Sequence, residues 1–409
     1  MLSAAAPNPL TEDPKAALRP EARLLLCCSR LELRPGDREQ ITQLLDSDLD
    51  WTYLLDIASR HGLRPLLYRH LNAVAAARVP KAIFAALWAW YECTGRRNQA
   101  MKEELLKILR LFRSSGVPAI PYKGPALAQS VYGDLALREF GDLDILLRRR
   151  DVLPAKVLLQ AQGYRPKYAL KPALEAQFLR STRHYHLVLV HGLSGVMLEL
   201  HWMTDPDYPV ESTADDQWWA SLGTAELGEG KVRCFSPREL LLILCLHGTK
   251  HYWTSLGWLV DVAELICRYP EMDWNWIMTK AQKLGCERRL AVGLHLAHRL
   301  LDAPPPEEFR RRIADNSEAM SLAAKFAGTL FSPEINETSS VDMLLLNMRL
   351  YERTRQRLGH CVNTLLAPGL VEWSRWPLPR AMFFLYVPLR MIRLLMKYCA
   401  IIPRRRSAP

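Results

Sequence analysis

No Cys-x-x-Cys pair occurs in this chain: its nine cysteines are scattered, and Cys27 and Cys28 are adjacent. That excludes a zinc knuckle and gives no disulfide framework, so a reducing, cytoplasmic setting is expected. No stretch approaches the roughly 20 apolar residues a spanning helix needs. The nearest, Ala381 to Leu389, is interrupted by Pro388. A secretion signal is also missing, since the first residues carry Pro7, Pro9, Glu12, Asp13 and Pro14 instead of a basic start and an apolar run. Residues 1–20 therefore read as a disordered leader. There is no glycine-rich Walker loop, no kinase catalytic-loop motif and no aromatic RNA-binding motif, which leaves a phosphotransferase or an RNA-binding module without support.

What is present is a globular composition. Of 409 residues 49% are hydrophobic, enough to bury one large core or two or three smaller ones. The net charge of +11 favours a phosphate-bearing partner or an anionic surface. Residues 21–115 repeat apolar side chains at three and four residue spacing, as in Ile83, Leu87, Trp90 and Leu105, Ile108, Leu109, which predicts helices stopped at Gly62 and Gly116. From Val117 the period shortens towards two, and strands are expected at Val117 to Tyr122, Leu143 to Leu147, His184 to Val190, Val196 to Trp202 and Lys231 to Phe235. Helices are expected between them at Ala126 to Tyr132 and Val152 to Gln162. Ser236-Pro237-Arg238-Glu239 combines a capping box with proline at the first helical position and starts a second helical region. The expected class is α+β: a small mixed sheet over 116–235, helices over 21–115 and 236–330, and C-terminal helices with a basic tail over 331–409. Trp51, Leu54, Ala58 and Gly62 are spaced like Trp274, Ile277, Ala281 and Gly285, which predicts two similar short helices.

The chemistry concentrates in Tyr122-Lys123-Gly124-Pro125-Ala126-Leu127 and, a helix length later, Arg138-Glu139-Phe140-Gly141-Asp142-Leu143-Asp144-Ile145-Leu146-Leu147. Aspartate is disfavoured in strands, so two within an apolar run need a reason. Residues two apart on a strand share a face, which sets Asp142 beside Asp144 while Leu143, Ile145 and Leu147 face the core. Paired carboxylates repel unless a cation lies between them, and hard oxygen ligands suit Mg2+, with Mn2+ as the alternative. Glu199, alternating with Leu198 and Leu200, is the candidate third carboxylate of a two-metal site. Lys123, Gly124 and Arg138 are candidates for phosphate binding, Gly124 by letting backbone approach and the two cations by charge. Lys123 is expected on an exposed loop.

Lys-Gly-x-Ala-Leu, a helix, Arg-x-x-Gly-Asp-x-Asp and a later Glu199-Leu200-His201-Trp202 together resemble an uncharacterised bacterial nucleotidyltransferase-like family of the DNA polymerase beta superfamily, and are similar to abortive-infection toxin nucleotidyltransferases. The match centres on Pro121 to Gly163 and, with weaker segments including His247 to Ala263, spans roughly half of the chain. The resemblance implies transfer of a nucleoside monophosphate from a nucleoside triphosphate, ATP among them, to a hydroxyl of a small molecule, peptide, protein or RNA, with metal on Asp142 and Asp144. Lys250, His247, His251 and Asp261 fall in the matched segment and are candidates for the nucleotide or acceptor pocket; His201, with His184 and His186, is a candidate for its wall. Two departures stand out: Gly124-Pro125 replaces the family's Gly-Ser or Gly-Gly, and Glu199 stands where Asp is more usual. They leave a second reading, a catalytically inactive nucleotide-binding or scaffold protein of the same fold.

His247 and His251 are one helical turn apart, but Gly248 occupies the place of a zinc protease's catalytic Glu, so that activity is not expected. Trp376 to Arg406 interleaves Arg380, Arg390, Arg393, Lys397 and Arg404 to Arg406 with large apolar residues. It reads as a packed helix with a basic solvated face, or as a weak peripheral contact with an anionic membrane.

Overall fold

The structure is a computed structural model that describes residues 18–168, 170–181, 184–209, 216–228, 230–332, 340–376 and 378–399. Most of the expected leader and the basic residues Arg404 to Arg406 lie outside these. Among the described residues five α-helices come first: α1 (Pro20–Cys27), α2 (Asp37–Leu45), α3 (Trp51–Arg60), α4 (Arg64–Ala75) and the long α5 (Lys81–Ser114). The central part contains β1 (Ala119–Pro121), α6 (Gly124–Leu127) continuing as a π-helical turn over Ala128–Tyr132, β2 (Asp142–Leu147), α7 (Val152–Ala161), β3 (Tyr164–Pro166), α8 (Pro172–Arg180), β4 (His186–His191), β5 (Met197–His201), α9 (Asp216–Ser221), β6 (Gly223–Leu227) and β7 (Gly230–Cys234). Ten helices follow: α10 (Pro237–Lys250), α11 (Leu256–Arg268), α12 (Trp274–Leu284), α13 (Glu287–Leu301), α14 (Glu307–Ala314), α15 (Ser317–Leu330), α16 (Ser340–Leu350), α17 (Thr354–Leu366), α18 (Leu370–Arg375) and α19 (Tyr386–Cys399).

The class is α+β, as expected. The main sheet has the order β1-β2-β5-β4-β3, with β2 and β5 parallel and the other pairs antiparallel. The expected strand at Lys231 to Phe235 does form, but outside this sheet: β7 pairs only with β6. That partner, Gly-Thr-Ala-Glu-Leu, alternates over only four residues with no β-branched or aromatic apolar side chain to mark it, and β3 is only three residues long with Pro166 at the edge, where proline is tolerated.

The local signals hold. Glu239 accepts from the Ser236 backbone N–H at 3.0 Å and from its hydroxyl at 2.6 Å, closing the start of α10. The two similar helices are α3 and α12, capped alike by Asp50 and Asp273, whose carboxylates each accept from the backbone N–H three residues on at 2.9 Å. Gly62 and Gly285 follow them at φ 68° and 72°.

Packing joins what is distant in sequence. One apolar core runs from Leu24, Leu54 and Leu71 in the first helices through Leu242, Val260 and Leu294 to Leu322. The helices before and after the sheet therefore share one interior instead of flanking it separately. Buried Arg30 donates to Glu264 at 2.5 Å, and His61 receives the N–H of Leu256 at 3.2 Å, so both helical sets are also tied by polar bonds. A second core lies behind the sheet, where Leu143, Ile145, Leu147, Leu198 and Leu200 meet Leu105 and Phe112 of α5 and Val152 and Leu159 of α7. With that face of β2 and β5 covered, the opposite face carries Asp142, Asp144, Glu199 and His201 towards α10 and α11.

Candidate active site

The parallel register sets Asp144 directly opposite Glu199, while the antiparallel register of β4 sets His186 opposite His201. Paired residues on neighbouring strands share a face, so two carboxylates and two imidazoles converge. His201 Nε2 lies 3.0 Å from Asp144 Oδ1 and 3.1 Å from Glu199 Oε2, and His186 Nε2 lies 3.9 Å from the same glutamate oxygen. Lys123 Nζ closes the other side, 3.4 Å from Asp144 Oδ1 and 3.4 Å from His247 Nδ1.

These groups line a cavity of about 440 Å³ between sheet and helices. Of the thirteen residues expected at the site twelve border it: Lys123, Gly124, Arg138, Asp142, Asp144, His186, Glu199, His201, His247, Lys250, His251 and Asp261. His184 does not. The ladder of β4 starts at His186, two residues later than expected, and His184 instead stacks on Phe178 with ring centroids 4.5 Å apart and lies 5.4 Å from Trp373. Freed from the pleat, it turns to the covered side.

Two cations differ from their expected settings. Lys123 is not exposed: its side chain keeps 13% of its accessible surface and is ion-paired to Asp144. Arg138 is held by Asp261 in a two-pronged bond, Nε at 2.7 Å and Nη2 at 2.8 Å, and Tyr132 donates to the same carboxylate at 2.6 Å. Asp261 is thus a positioning residue on α11, and only Nη1 of Arg138 is without a partner.

The loop before β2 is held from several helices. Asn98 in the middle of α5 donates to the carbonyls of Leu135 at 2.7 Å and Arg138 at 2.8 Å. Arg97 donates to the Phe140 carbonyl, and Arg64 of α4 grips Glu139 at 3.1 and 2.8 Å. Gly124 has φ +53°, and a Cβ there would stand 3.1 Å from the Asp142 carbonyl, so glycine is what brings α6 against the end of β2. Asn98 was not among the residues expected at the site, although Thr94 and Asn98 interrupt an otherwise apolar buried stripe of α5, which is the mark of an inward polar contact.

On the far wall Lys250 Nζ lies 3.7 Å above the Tyr185 ring and donates to its hydroxyl. Trp258 meets His247 and His251, each at 5.3 Å between ring centroids. Gly248 serves packing: a Cβ there would fall 2.4 Å from the Trp253 ring, so no larger residue fits.

The electrostatics divide the carboxylates. Burial, then the charge of Asp144, pushes Asp142 up to about 6. Burial acts on Asp144 as well but is outweighed by Lys123 and by the His201 hydrogen bond, which hold it well below the carboxylate range. At Glu199 burial is likewise outweighed by the bond from His201. Burial, against the attraction of Asp205, brings Lys250 down to about 8. Among the described residues, His186, Glu199 and His201 have polar atoms within 4.8 Å of one another, two imidazoles and a carboxylate that could hold a divalent cation.

Comparison with known proteins gives one finding: residues 47–302, more than half of the chain, match the model of a family described as an uncharacterised nucleotidyltransferase. Neither a curated protein nor a solved structure matches the chain. The match contains the first aspartates, the opposing glutamate, the cavity and the helices that hold them.

Proposed function

This chain belongs to the uncharacterised nucleotidyltransferase family, and from that membership we propose that it transfers a nucleoside monophosphate from a nucleoside triphosphate to a hydroxyl of an acceptor, at Asp142, Asp144 and Glu199, as in the DNA polymerase beta superfamily. The observation that carries this reading is the placement of Glu199 opposite Asp144 on a parallel neighbouring strand, with Asp142 at the start of the same strand, inside a cavity. Mg2+ or Mn2+ held by these carboxylates would supply charge neutralisation for the phosphates and the attacking oxygen.

The acceptor oxygen bonds to the α-phosphorus, the bond from phosphorus to the pyrophosphate oxygen breaks, and the hydroxyl proton passes to a Glu199 carboxylate oxygen. Lys123, between Asp144 and His247, and Nη1 of Arg138 contribute positive charge on the phosphate side. Lys250, above Tyr185, belongs to the same nucleotide pocket. The helix opening at Gly124 is short and passes into a π-helical turn, so phosphate binding rests more on these side chains than on that helix end. The family's Gly-Ser is missing and Lys123 is bonded to Asp144; both favour the second reading, an inactive nucleotide-binding protein.

Incubating the purified protein with each α-labelled triphosphate, Mg2+ or Mn2+, and a cell extract decides between them. A labelled acceptor formed by the wild type and not by Asp142→Asn supports transfer. Triphosphate binding with no labelled product supports the inactive form.

We propose in addition a weak peripheral contact of the C-terminal helices with an anionic membrane. Val387, Met391, Ile392, Leu395 and Met396 of α19 are exposed, as are Leu358 and Val362 of α17, with Arg375 and Arg393 nearby in sequence. No helix among the described residues is long and apolar enough to cross a membrane.

A further inference from the structure

We infer that His186, His201 and Glu199 together form a mixed imidazole–carboxylate site, which takes a borderline divalent ion of the manganese-to-zinc class in preference to Mg2+. This deepens the reading of the cavity as a metal centre and rests on it.

The placement follows from strand register. His186 and His201 are directly paired across β4 and β5, and their rings stack at 5.1 Å with 29° between planes. Glu199 precedes His201 by two residues on the same face, and Asp144 is its partner on β2. Ligands about 2.1 Å from one ion lie about 3.0 to 4.2 Å from each other, depending on the angle between them. The separations here, 3.1 Å for His201 to Glu199 and 3.9 Å for His186 to Glu199, fall within that span, and the ligand atoms of all three residues lie within 4.8 Å of one another.

The donor types decide which ion. Mg2+ is hard, binds oxygen and keeps its waters, so two imidazole nitrogens are poor ligands for it. Imidazole suits zinc, iron and nickel, and carboxylate suits manganese, so a set of two nitrogens and one carboxylate selects the borderline ions. Lys123 beside Asp144 offers the charge compensation that an all-carboxylate site would draw from a second cation. The Nδ1 atoms of both histidines are buried with no partner. A supporting acceptor on that nitrogen raises affinity about 10–100-fold, so this site should hold its ion exchangeably and not as a permanent structural metal.

The test uses the full chain loaded with Mn2+ alone and read by pulsed electron paramagnetic resonance. Bound Mn2+ should show modulation from directly coordinated nitrogen, and selective 15N-histidine labelling of the intact wild type should change it, a readout that needs no substitution. His186→Ala should remove part of the nitrogen coupling and weaken Mn2+ binding at least tenfold, while Mg2+ binding changes less than twofold. Mn2+ bound through oxygen alone, or an unchanged signal after labelling, overturns the mixed site and leaves the carboxylate reading standing. No bound Mn2+ and no bound Mg2+ overturns both.

Discussion

Asp142 and Asp144 leave the same face of β2 for different surroundings, and the difference governs what substitution does at each. Asp144 is 3% exposed and bonded to Lys123 and His201. Asp144→Ala should therefore cost about 3–5 kcal/mol in denaturant unfolding, because the Lys123 ammonium and the buried His201 ring lose their partner. Asp142 is half-buried and has no such bonds, so Asp142→Asn should change stability by less than about 1 kcal/mol while nucleotidyl transfer falls to background. Equal stability loss in both variants would contradict the assigned environments. At Arg138 the fork matters more than the charge. Arg138→Lys keeps the cation but cannot bind both Asp261 oxygens, and should destabilise by about 1.5–3 kcal/mol. Its triphosphate affinity, measured by titration, should fall as well, since the remaining ammonium is drawn to Asp261.

At the scale of elements, the join between α3–α4 and α11 is expected to respond to pH through His61. His61 is buried; its Nδ1 receives the N–H of Leu256, and its carbonyl receives the N–H of Gly257 at 3.2 Å. Burial, then Arg60, lowers its imidazole to about 4, against an ordinary value near 6.5. Above pH 6.5 neither folded nor unfolded chain holds this proton, so it contributes nothing. Between pH 6.5 and 4 the unfolded chain binds it and the folded chain does not, so stability falls as pH falls, by about 1.4 kcal/mol per unit for one full proton. Unfolding free energies measured across that window should fall less steeply in His61→Gln than in the wild type; identical slopes would remove His61 as a contributor. The same join explains Gly257, where a Cβ would stand 2.6 Å from the His61 carbonyl.

For the whole molecule, one shared core couples the first helices to the cavity's roof and reaches Leu346 and Leu350 of α16, while α17 buries no residue. Helix α19 buries Tyr386 and Arg390, and Arg390 and Arg393 engage Glu372. Its other face remains apolar and open. Ile392→Glu with Leu395→Glu should leave unfolding free energy within about 0.5 kcal/mol per site, because neither side chain is buried. Co-sedimentation of the wild type with anionic but not neutral vesicles, lost in this double variant, is the result expected of a peripheral contact. Equal sedimentation of both proteins would return the face to ordinary helix packing.

Short-range periodicity determined much on its own. Alternation put Asp142 and Asp144 on one face of a strand, Ser236 to Glu239 began α10, and the repeated Trp, apolar, Ala, Gly spacing marked α3 and α12, because each is written within about a dozen residues and turns on backbone geometry alone. Only the tertiary structure decided which strand lies beside β2, that Glu199 stands opposite Asp144, that His186 enters the cavity and His184 does not, and that Lys123 and Arg138 are committed to Asp144 and to Asp261. The reason is physical: periodicity assigns a face to each side chain, but the partner across that face comes from burying apolar surface between segments tens to hundreds of residues apart, as when the first helices and those after the sheet close into one core.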